Sequence, residues 1–477
     1  MGKAKVLVIG GGPCGCSAAW EIARNGYGVT LVEEKEKLGG LASNQIFNGN
    51  VYEYGTHVFH TDQEELLASV SRLMGDELLI FERGSKIHIN FMGNYYTYPL
   101  QGLDLIKKLP TGMAGAAVLS FLKSFIKYEV FFKLPPRNTE EYLVQKFGNK
   151  LYEVFFRDYS HKVWGVPCSE LDPSFGAQRI PRSDIFSILK NALNRLGLSK
   201  LLDSHPLSEQ VIGHIYYAEN GIARIFEKMS EDVKLREGEV LTGSSLKKII
   251  VEAGKVKAAV IERQGKEIEI SADYYVSTIP LPVVIGSVNG GLPSQVSKAA
   301  EKLCYRSISL IGLLVSRPQI RPAYFTYYPK LTFNRLSEPT NHGLKVKQPG
   351  HTLLIAETVC GYRDQAWKGD KDFCEKVIKE IVSEGLFEKK DLIEWHHYSW
   401  RYSYPVYTVN YRKNVSLIHD YLKTLKNVHS TGRNGDFNYV NMHVAMQMGL
   451  ASLDQLRGYL NEPGGRHVVK KAAGELW

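Results

Sequence analysis

The first 33 residues restrict the fold more than any other part of this chain. Lys5-Val6-Leu7-Val8-Ile9 is a short β-branched apolar run that stops at Gly10-Gly11-Gly12-Pro13-Cys14-Gly15. Ser17 to Arg24 then reads as a helix closed by Asn25-Gly26, and Val29-Thr30-Leu31-Val32 as a second strand ending on Glu33. Strand, glycine loop, helix, strand and acid in one compact run predict a βαβ unit that binds a dinucleotide. Gly10 permits the tight turn off the strand, Gly12 lets the backbone approach a pyrophosphate, and Gly15 lets the helix pack close to the sheet. Pro13 and Cys14 complete the loop, and Cys14 and Cys16 read as small packing residues there. The helix N-terminus offers unpaired N–H groups and a positive dipole end to phosphates. Glu33, with Glu34 beside it, follows at the distance where a carboxylate meets ribose hydroxyls.

A second glycine pair, Leu38-Gly39-Gly40-Leu41, comes soon after the second strand. It resembles the same segment of flavoproteins of the amine-oxidase class, where it runs along FAD, so the resemblance implies FAD as the dinucleotide.

Beyond this unit the pattern changes several times. Asp62 to Met74 is helical, Lys86 to Tyr98 reads as strands, and Leu103 to about Phe156 is mostly helical with a break at Lys133-Leu134-Pro135-Pro136. Residues 183–203 suggest another helix. Lys248–Val251, Val256–Ile261 and Glu267–Ile270 are short strands joined by Gly-containing turns, a β-meander. Ala272 to Pro280 returns to a buried strand. Stretches around Ile308–Val315, Tyr324–Phe333 and Thr352–Thr358 suggest an antiparallel sheet, and the chain closes with Val428–Arg433 and a helix from about Asn441.

The expected fold class is therefore α/β: a discontinuous Rossmann-like FAD-binding domain with an inserted helical domain and an antiparallel β-sheet substrate domain. The FAD-binding segments are 1–90, 206–285 and 411–477. Residues 91–205 form the helical insert and 286–410 the substrate sheet. A chain of 477 residues is too long for one ordinary core, which agrees with this division.

Bulk properties exclude several classes. The net charge of +9 is spread along the chain, with no basic run of the kind that binds nucleic acid. It fits a soluble surface, and also a pocket for an anionic ligand. Six scattered cysteines show no CxxC pair, which argues against structural zinc and a disulfide framework, so no metal is expected. Met1-Gly2-Lys3 leads directly into the first strand, so no signal peptide is expected and the default location is cytoplasmic. The most apolar helical stretch, Gly112 to Phe132, is interrupted by Lys123 and Lys127. It falls short of the about 18–20 clean apolar residues of a membrane span, and reads as a core or membrane-surface helix. A homo-oligomer stays possible.

Five further blocks, in order along nearly the whole chain, resemble the UDP-galactopyranose mutase family. The first, Tyr54-Gly55-Thr56-His57-Val58-Phe59-His60-Thr61, resembles a Gly-Pro-His-(Ile/Val)-Phe-His-Thr loop beside the flavin ring, with Thr56 in place of Pro. The second, Lys162-Val163-Trp164-Gly165-Val166-Pro167 followed by Arg179-Ile180-Pro181-Arg182, resembles a Gln-Trp-Gly block and an Arg-Ile-Pro-Val-Arg segment. Phe333-Asn334-Arg335-Leu336-Ser337-Glu338 resembles Tyr-Thr-Arg-Ile-Thr-Glu. Tyr404-Pro405-Val406 resembles Tyr-Pro-Ile, and Gly432-Arg433 through Tyr439, Asn441, Met442 and His443 resembles Gly-Arg-x-Gly-x-x-x-Tyr-x-x-Met-Asp. His443 stands where the family has Asp.

The resemblance implies residue roles. Gly10, Gly12, Pro13, Cys14, Gly15, Glu33, Glu34, Gly39, Gly40, Leu41, His57, Gly432, Arg433, Asn441 and Met442 would contact FAD. Trp164 would lie near uridine. Arg179, Arg182, Tyr217, Arg335, Tyr404 and Tyr439 would line the rest of a nucleotide-sugar site, with Arg335, His57 and Arg182 catalytic. The length difference before Arg182 leaves open which of Arg179 and Arg182 faces substrate. The implied reaction interconverts UDP-galactopyranose and UDP-galactofuranose, or a related nucleotide sugar, through a reduced-flavin N5–sugar adduct, with NADPH or NADH as external electron donor. Two alternatives stand beside it: an FAD-dependent oxidase or desaturase, and a diverged non-catalytic nucleotide-sugar binder.

Overall fold

The computed structural model describes residues 3–81, 86–98, 107–132, 134–179 and 214–461. Strand β1 (Lys5–Ile9), helix α1 (Pro13–Arg24) and strand β2 (Gly28–Val32) form the expected βαβ unit. The helix starts earlier than Ser17 because Pro13, with its fixed φ, suits the first helical position. β1 is central in a five-stranded sheet that is parallel throughout. Its neighbours are β2 and Tyr274–Ser277, with Glu239–Leu241 and Val428–Ser430 at the edges. Strands from three distant stretches complete one sheet, so the dinucleotide-binding part is discontinuous, as expected. The helix Met442–Leu450 packs along α1, where a Cβ on Gly449 would lie 2.1 Å from the Cys14 carbonyl oxygen.

A four-stranded sheet contains the meander Ser244–Glu252, Lys255–Arg263 and Lys266–Ile270, extended by Val288–Asn289. The largest sheet has seven strands. In order they are Leu392–Pro405, Tyr305–Val315, Thr352–Cys360, Arg335–Ser337, Ala323–Tyr327, Lys86–Phe91 and Asn94–Thr97. All its pairings are antiparallel except Lys86–Phe91 with Ala323–Tyr327. The boundary expected at residue 90 thus falls inside a strand of this sheet. The hairpin Lys86–Thr97 pairs with chain more than two hundred residues later, not with the dinucleotide sheet. The stretch Tyr324–Phe333 is also shorter as a strand, ending at Tyr327, and Phe333 is fully buried in the core below the sheet.

Among the described residues, the helical insert contains Thr111–Phe125, Thr139–Leu151 and Asp158–Trp164, with π-helical turns at Ile126–Phe131 and Tyr152–Arg157. The helix Pro173–Arg179 follows. The helix expected over 183–203 and Arg182 lie outside the described residues, as does the side chain of Arg179.

Candidate active site

The glycine loop has the geometry a dinucleotide needs. Gly10 has φ +103, and its N–H donates to the Val32 carbonyl at 2.8 Å. A Cβ on Gly15 would sit 1.8 Å from the Gly10 carbonyl oxygen, so only glycine lets α1 approach this closely. At Gly12, by contrast, a Cβ would meet only the Gly40 Cα, at 3.9 Å. The space over the start of α1 is open, and no side chain caps that helix end. The second glycine pair lies directly on the first, with the Gly39 N–H donating to the Gly11 carbonyl at 2.8 Å. Leu41 lies in the tight turn that follows.

Glu33 is buried. Its two carboxylate oxygens accept the Gly11 N–H at 2.6 Å and the Lys35 N–H at 2.9 Å. Each keeps a second lone-pair site for a ribose hydroxyl. Burial raises its pKa, and the two N–H bonds oppose that rise. Glu34 is exposed and faces Lys35 at 3.8 Å. Cys14 and Cys16 are buried packing residues, as expected, and burial raises both thiol pKa values.

The other residues singled out in the sequence converge on one carboxylate. Arg335 and Glu357 are direct cross-strand partners and form an ion pair. Tyr404, on the strand Leu392–Pro405, donates its hydroxyl to the other Glu357 oxygen at 2.9 Å. Tyr439 meets Tyr404 edge-on at 5.2 Å between ring centroids, and Trp164 meets the two rings at 5.8 and 5.9 Å. The Arg433 guanidinium lies 4.1 Å over the Tyr439 ring. It also donates to the Val440 and Ser403 carbonyls at 2.8 and 2.7 Å, while its Nε has no protein partner. A Cβ on Gly55 would lie 2.9 Å from Glu357 Oε2 and 3.3 Å from Arg335 Nη2, so the loop Gly55–His57 can pass here only because that position lacks a side chain. Burial above all, and then the charges of Arg335 and Arg433, push the His57 pKa down to about 3. His57 Nδ1 and Thr56 Oγ1 are buried without protein partners.

Glu357 lies outside the five family-like blocks of the sequence. It is the only carboxylate in Thr352-Leu-Leu-Ile-Ala-Glu-Thr-Val-Cys360, a strand buried along its whole length. A lone acid in such a strand needs a partner, and that was the available signal. Lys162 ties two parts of the site together. It donates to the carbonyls of Leu331 and Phe333 at 2.5 and 2.8 Å, tying the Trp164 helix to the segment that leads into Arg335.

Tyr217 is placed apart from this cluster. It is buried in the strand Ile215–Tyr217, its hydroxyl against Glu53 and its ring 6.3 Å from His342. Asn441 occupies the N-cap position of the helix Met442–Leu450 without a side-chain capping bond, and the His443 ring contacts His60 at 4.5 Å.

A parallel dinucleotide-binding sheet, a second glycine pair stacked on its loop and a mixed sheet closing over the loop Gly55–His57 define a flavoprotein fold. The chain belongs to the flavin containing amine oxidoreductase family, whose model matches residues 13–452. It is 24% identical over 216 residues to a probable UDP-galactopyranose mutase of Klebsiella pneumoniae, covering 43% of this chain and 53% of that protein. It is 25% identical over 180 residues to the dTDP-fucopyranose mutase of Escherichia coli, covering 37% and 46%. The chain thus spans about half the length of the curated relatives it matches. A crystal structure of reduced UDP-galactopyranose mutase superimposes with a TM-score of 0.80 at 21% identity, covering 96% of both chains. The resemblance read from the sequence is borne out at the level of the family and fold.

The residues present fit FAD. The open start of α1 suits its pyrophosphate, Glu33 a ribose, and Thr56 Oγ1, His57 Nδ1 and Arg433 Nε are buried polar atoms without hydrogen-bond partners in the protein, as a site for a polar ring requires. Among the described residues, no group of three or more His, Cys, Asp or Glu could hold a metal ion. No helix there is long and apolar enough to cross a membrane.

Proposed function

We propose that this protein is a flavin-dependent mutase that interconverts the pyranose and furanose forms of UDP-galactose or a related nucleotide sugar. The observation that carries this reading is the convergence of Arg335, Tyr404, Tyr439 and Trp164 around Glu357, beside the Gly55–His57 loop. A guanidinium and two phenols next to a large aromatic ring match the phosphates and base of a nucleoside diphosphate. The names of the two mutase relatives differ in both base and sugar, which supports the class more firmly than any one substrate.

When bound and reduced, FAD supplies a nucleophilic N5 for the anomeric carbon. The chain's own residues do the rest. Arg335 stabilises the negative charge that develops on the departing diphosphate. Tyr404 and Tyr439 hold that group close for its return, a positioning role. Glu357 fixes Arg335 and Tyr404, each through its own oxygen. His57, kept uncharged, lines the flavin side of the site. Trp164 borders the base, and the stretch from Arg179 to Arg182 supplies a further cation. NADPH or NADH is the electron source in this reading. The reaction is cytoplasmic and feeds galactofuranose into cell-surface polysaccharide synthesis.

The test is anaerobic incubation of the purified protein with dithionite and UDP-galactofuranose, followed by chromatography for UDP-galactopyranose. Turnover that requires reduced flavin is the expected result. Net oxidation of a substrate without pre-reduction would replace this reading with an oxidase. Binding of nucleotide sugars with no turnover of any of them would leave a non-catalytic binder.

A further inference from the structure

The helical insert has an outward face that the proposed reaction does not use. In the helix Thr111–Phe125 the inner side, Ala114, Ala117, Phe121 and Phe125, is buried, largely against the helix Thr139–Leu151. The contact is backbone-close: a Cβ on Gly148 would lie 2.7 Å from the Phe121 nitrogen. This helix cannot roll to hide its other side. That side bears Val118, 44% exposed, and Leu119, 69% exposed. The chain continues with Ile126, Phe131, Phe132 and Leu134, all between 49% and 71% exposed. A helix that faces water normally presents polar residues outward, and single exposed apolar residues are ordinary. Six such residues within one helix and the turn after it are not.

The charge around this face is predominantly positive. From Leu105 to Leu134 the sequence carries five lysines, Lys107, Lys108, Lys123, Lys127 and Lys133, against one acid, Glu129. Lys123 and Lys127 are exposed beside Leu119 and Ile126. We propose that this face docks the protein onto an anionic lipid bilayer, lying in the plane of the headgroups with its apolar side chains in the acyl boundary. Apolar side chains bordered mainly by lysines are what such a surface selects, because the lysines meet the headgroup charge while the apolar groups leave water. An acidic protein partner would account for the lysines but not for the large apolar area between them. The docking rests on the helical insert and stands apart from the reaction assigned to the site.

The test uses the FAD-loaded protein in flotation with vesicles of phosphatidylcholine alone and of phosphatidylcholine with phosphatidylglycerol. Wild type is expected to float with the anionic vesicles and several-fold less with the neutral ones, and to be released by about 0.5 M salt. Leu119→Asp combined with Phe131→Asp lowers the bound fraction about tenfold or more, with flavin absorbance and melting temperature unchanged. Lys123→Glu with Lys127→Glu weakens binding to anionic vesicles only, and decides the matter if the apolar pair disturbs folding. Failure of wild type to bind anionic vesicles overturns the proposal, as does equal binding by the lysine variant. A wild-type dimer in lipid-free solution that the apolar variant splits also overturns it, assigning the face to a second copy of the chain.

Discussion

Arg335 and Glu357 face each other across two antiparallel strands, so the guanidinium is aimed before any ligand arrives. Preorganisation of this kind matters where charge develops during a reaction. Arg335→Ala is expected to lower kcat by about 10²–10³-fold while FAD stays bound, read from steady-state rates and flavin absorbance. Arg335→Lys recovers little, because a point charge cannot hold Glu357 and a phosphate together in one fork. Glu357 separates two effects. Glu357→Gln keeps an acceptor for Tyr404 and removes a negative charge, so UDP should bind about threefold to tenfold more tightly. Glu357→Ala leaves Arg335 and Tyr404 unheld and should lower kcat by about tenfold to a hundredfold. UDP displacement assays beside turnover check both, and weaker UDP binding in Glu357→Gln would show that the carboxylate does more than orient. Arg335, Trp164, Tyr404 and Tyr439 could be read from the sequence because each sits in a block with recognisable neighbours. Glu357 sits in no such block: a lone acid in an apolar strand signals a buried partner but does not say which residue that partner is.

Elements far apart in sequence meet through single side chains. Lys162 joins the helix Asp158–Trp164 to carbonyls of the segment before Arg335, so it sets how Trp164 stands relative to the arginine. Lys162→Met leaves those carbonyls without their donor and should destabilise the protein by about 1–3 kcal/mol. It should also raise KM more than it lowers kcat, because Trp164 moves while Arg335 keeps Glu357. Thermal melts and the two kinetic constants test this, and an unchanged KM would remove Lys162 from the positioning of the site. At the other sheet, Gly15→Ala drives a methyl into the Gly10 carbonyl and separates α1 from β1. The variant should be purified with little flavin and a lower melting temperature. The βαβ unit was plain from local pattern, since its spacing is set within 33 residues. The hairpin Lys86–Thr97 was recognised as strands but not assigned to its sheet. Its parallel partner, Ala323–Tyr327, lies more than two hundred residues away, and hydrophobic alternation carries no information about which distant strand will pair.

Over the whole molecule, buried titratable groups set a pH response. Burial lowers the pKa of His57 to about 3 and of His342 and His429 to about 4. Each stays uncharged in the fold, whereas the unfolded chain takes up protons near 6.5, so their contribution is present above that pH and is lost as pH falls below it. Glu53 acts in the opposite sense. Burial raises its pKa to about 7, so the folded chain holds a proton that the unfolded chain releases above about 4.5, and this contribution is lost as pH rises toward 7. His419 and Asp436 face each other at 3.4 Å with side chains 23% and 29% exposed, and solvent damps both of their opposed shifts, His419 down to about 4 and Asp436 up to about 7. Between pH 6.5 and 4.5 the large downward shifts of these three histidines outweigh the upward shift of Glu53, and the smaller upward shifts that burial gives Glu33 and Glu338 reduce the margin. Stability should fall on acidification by about 1–2 kcal/mol per pH unit, read as a falling denaturation midpoint. His57 also responds to ligand, because its low value comes partly from Arg335 and Arg433. A diphosphate neutralising those cations would let His57 take up a proton at higher pH, so UDP should protect the protein more at pH 5 than at pH 7.5. Equal protection at both values would place the diphosphate away from His57 and so away from the cluster that carries the functional reading.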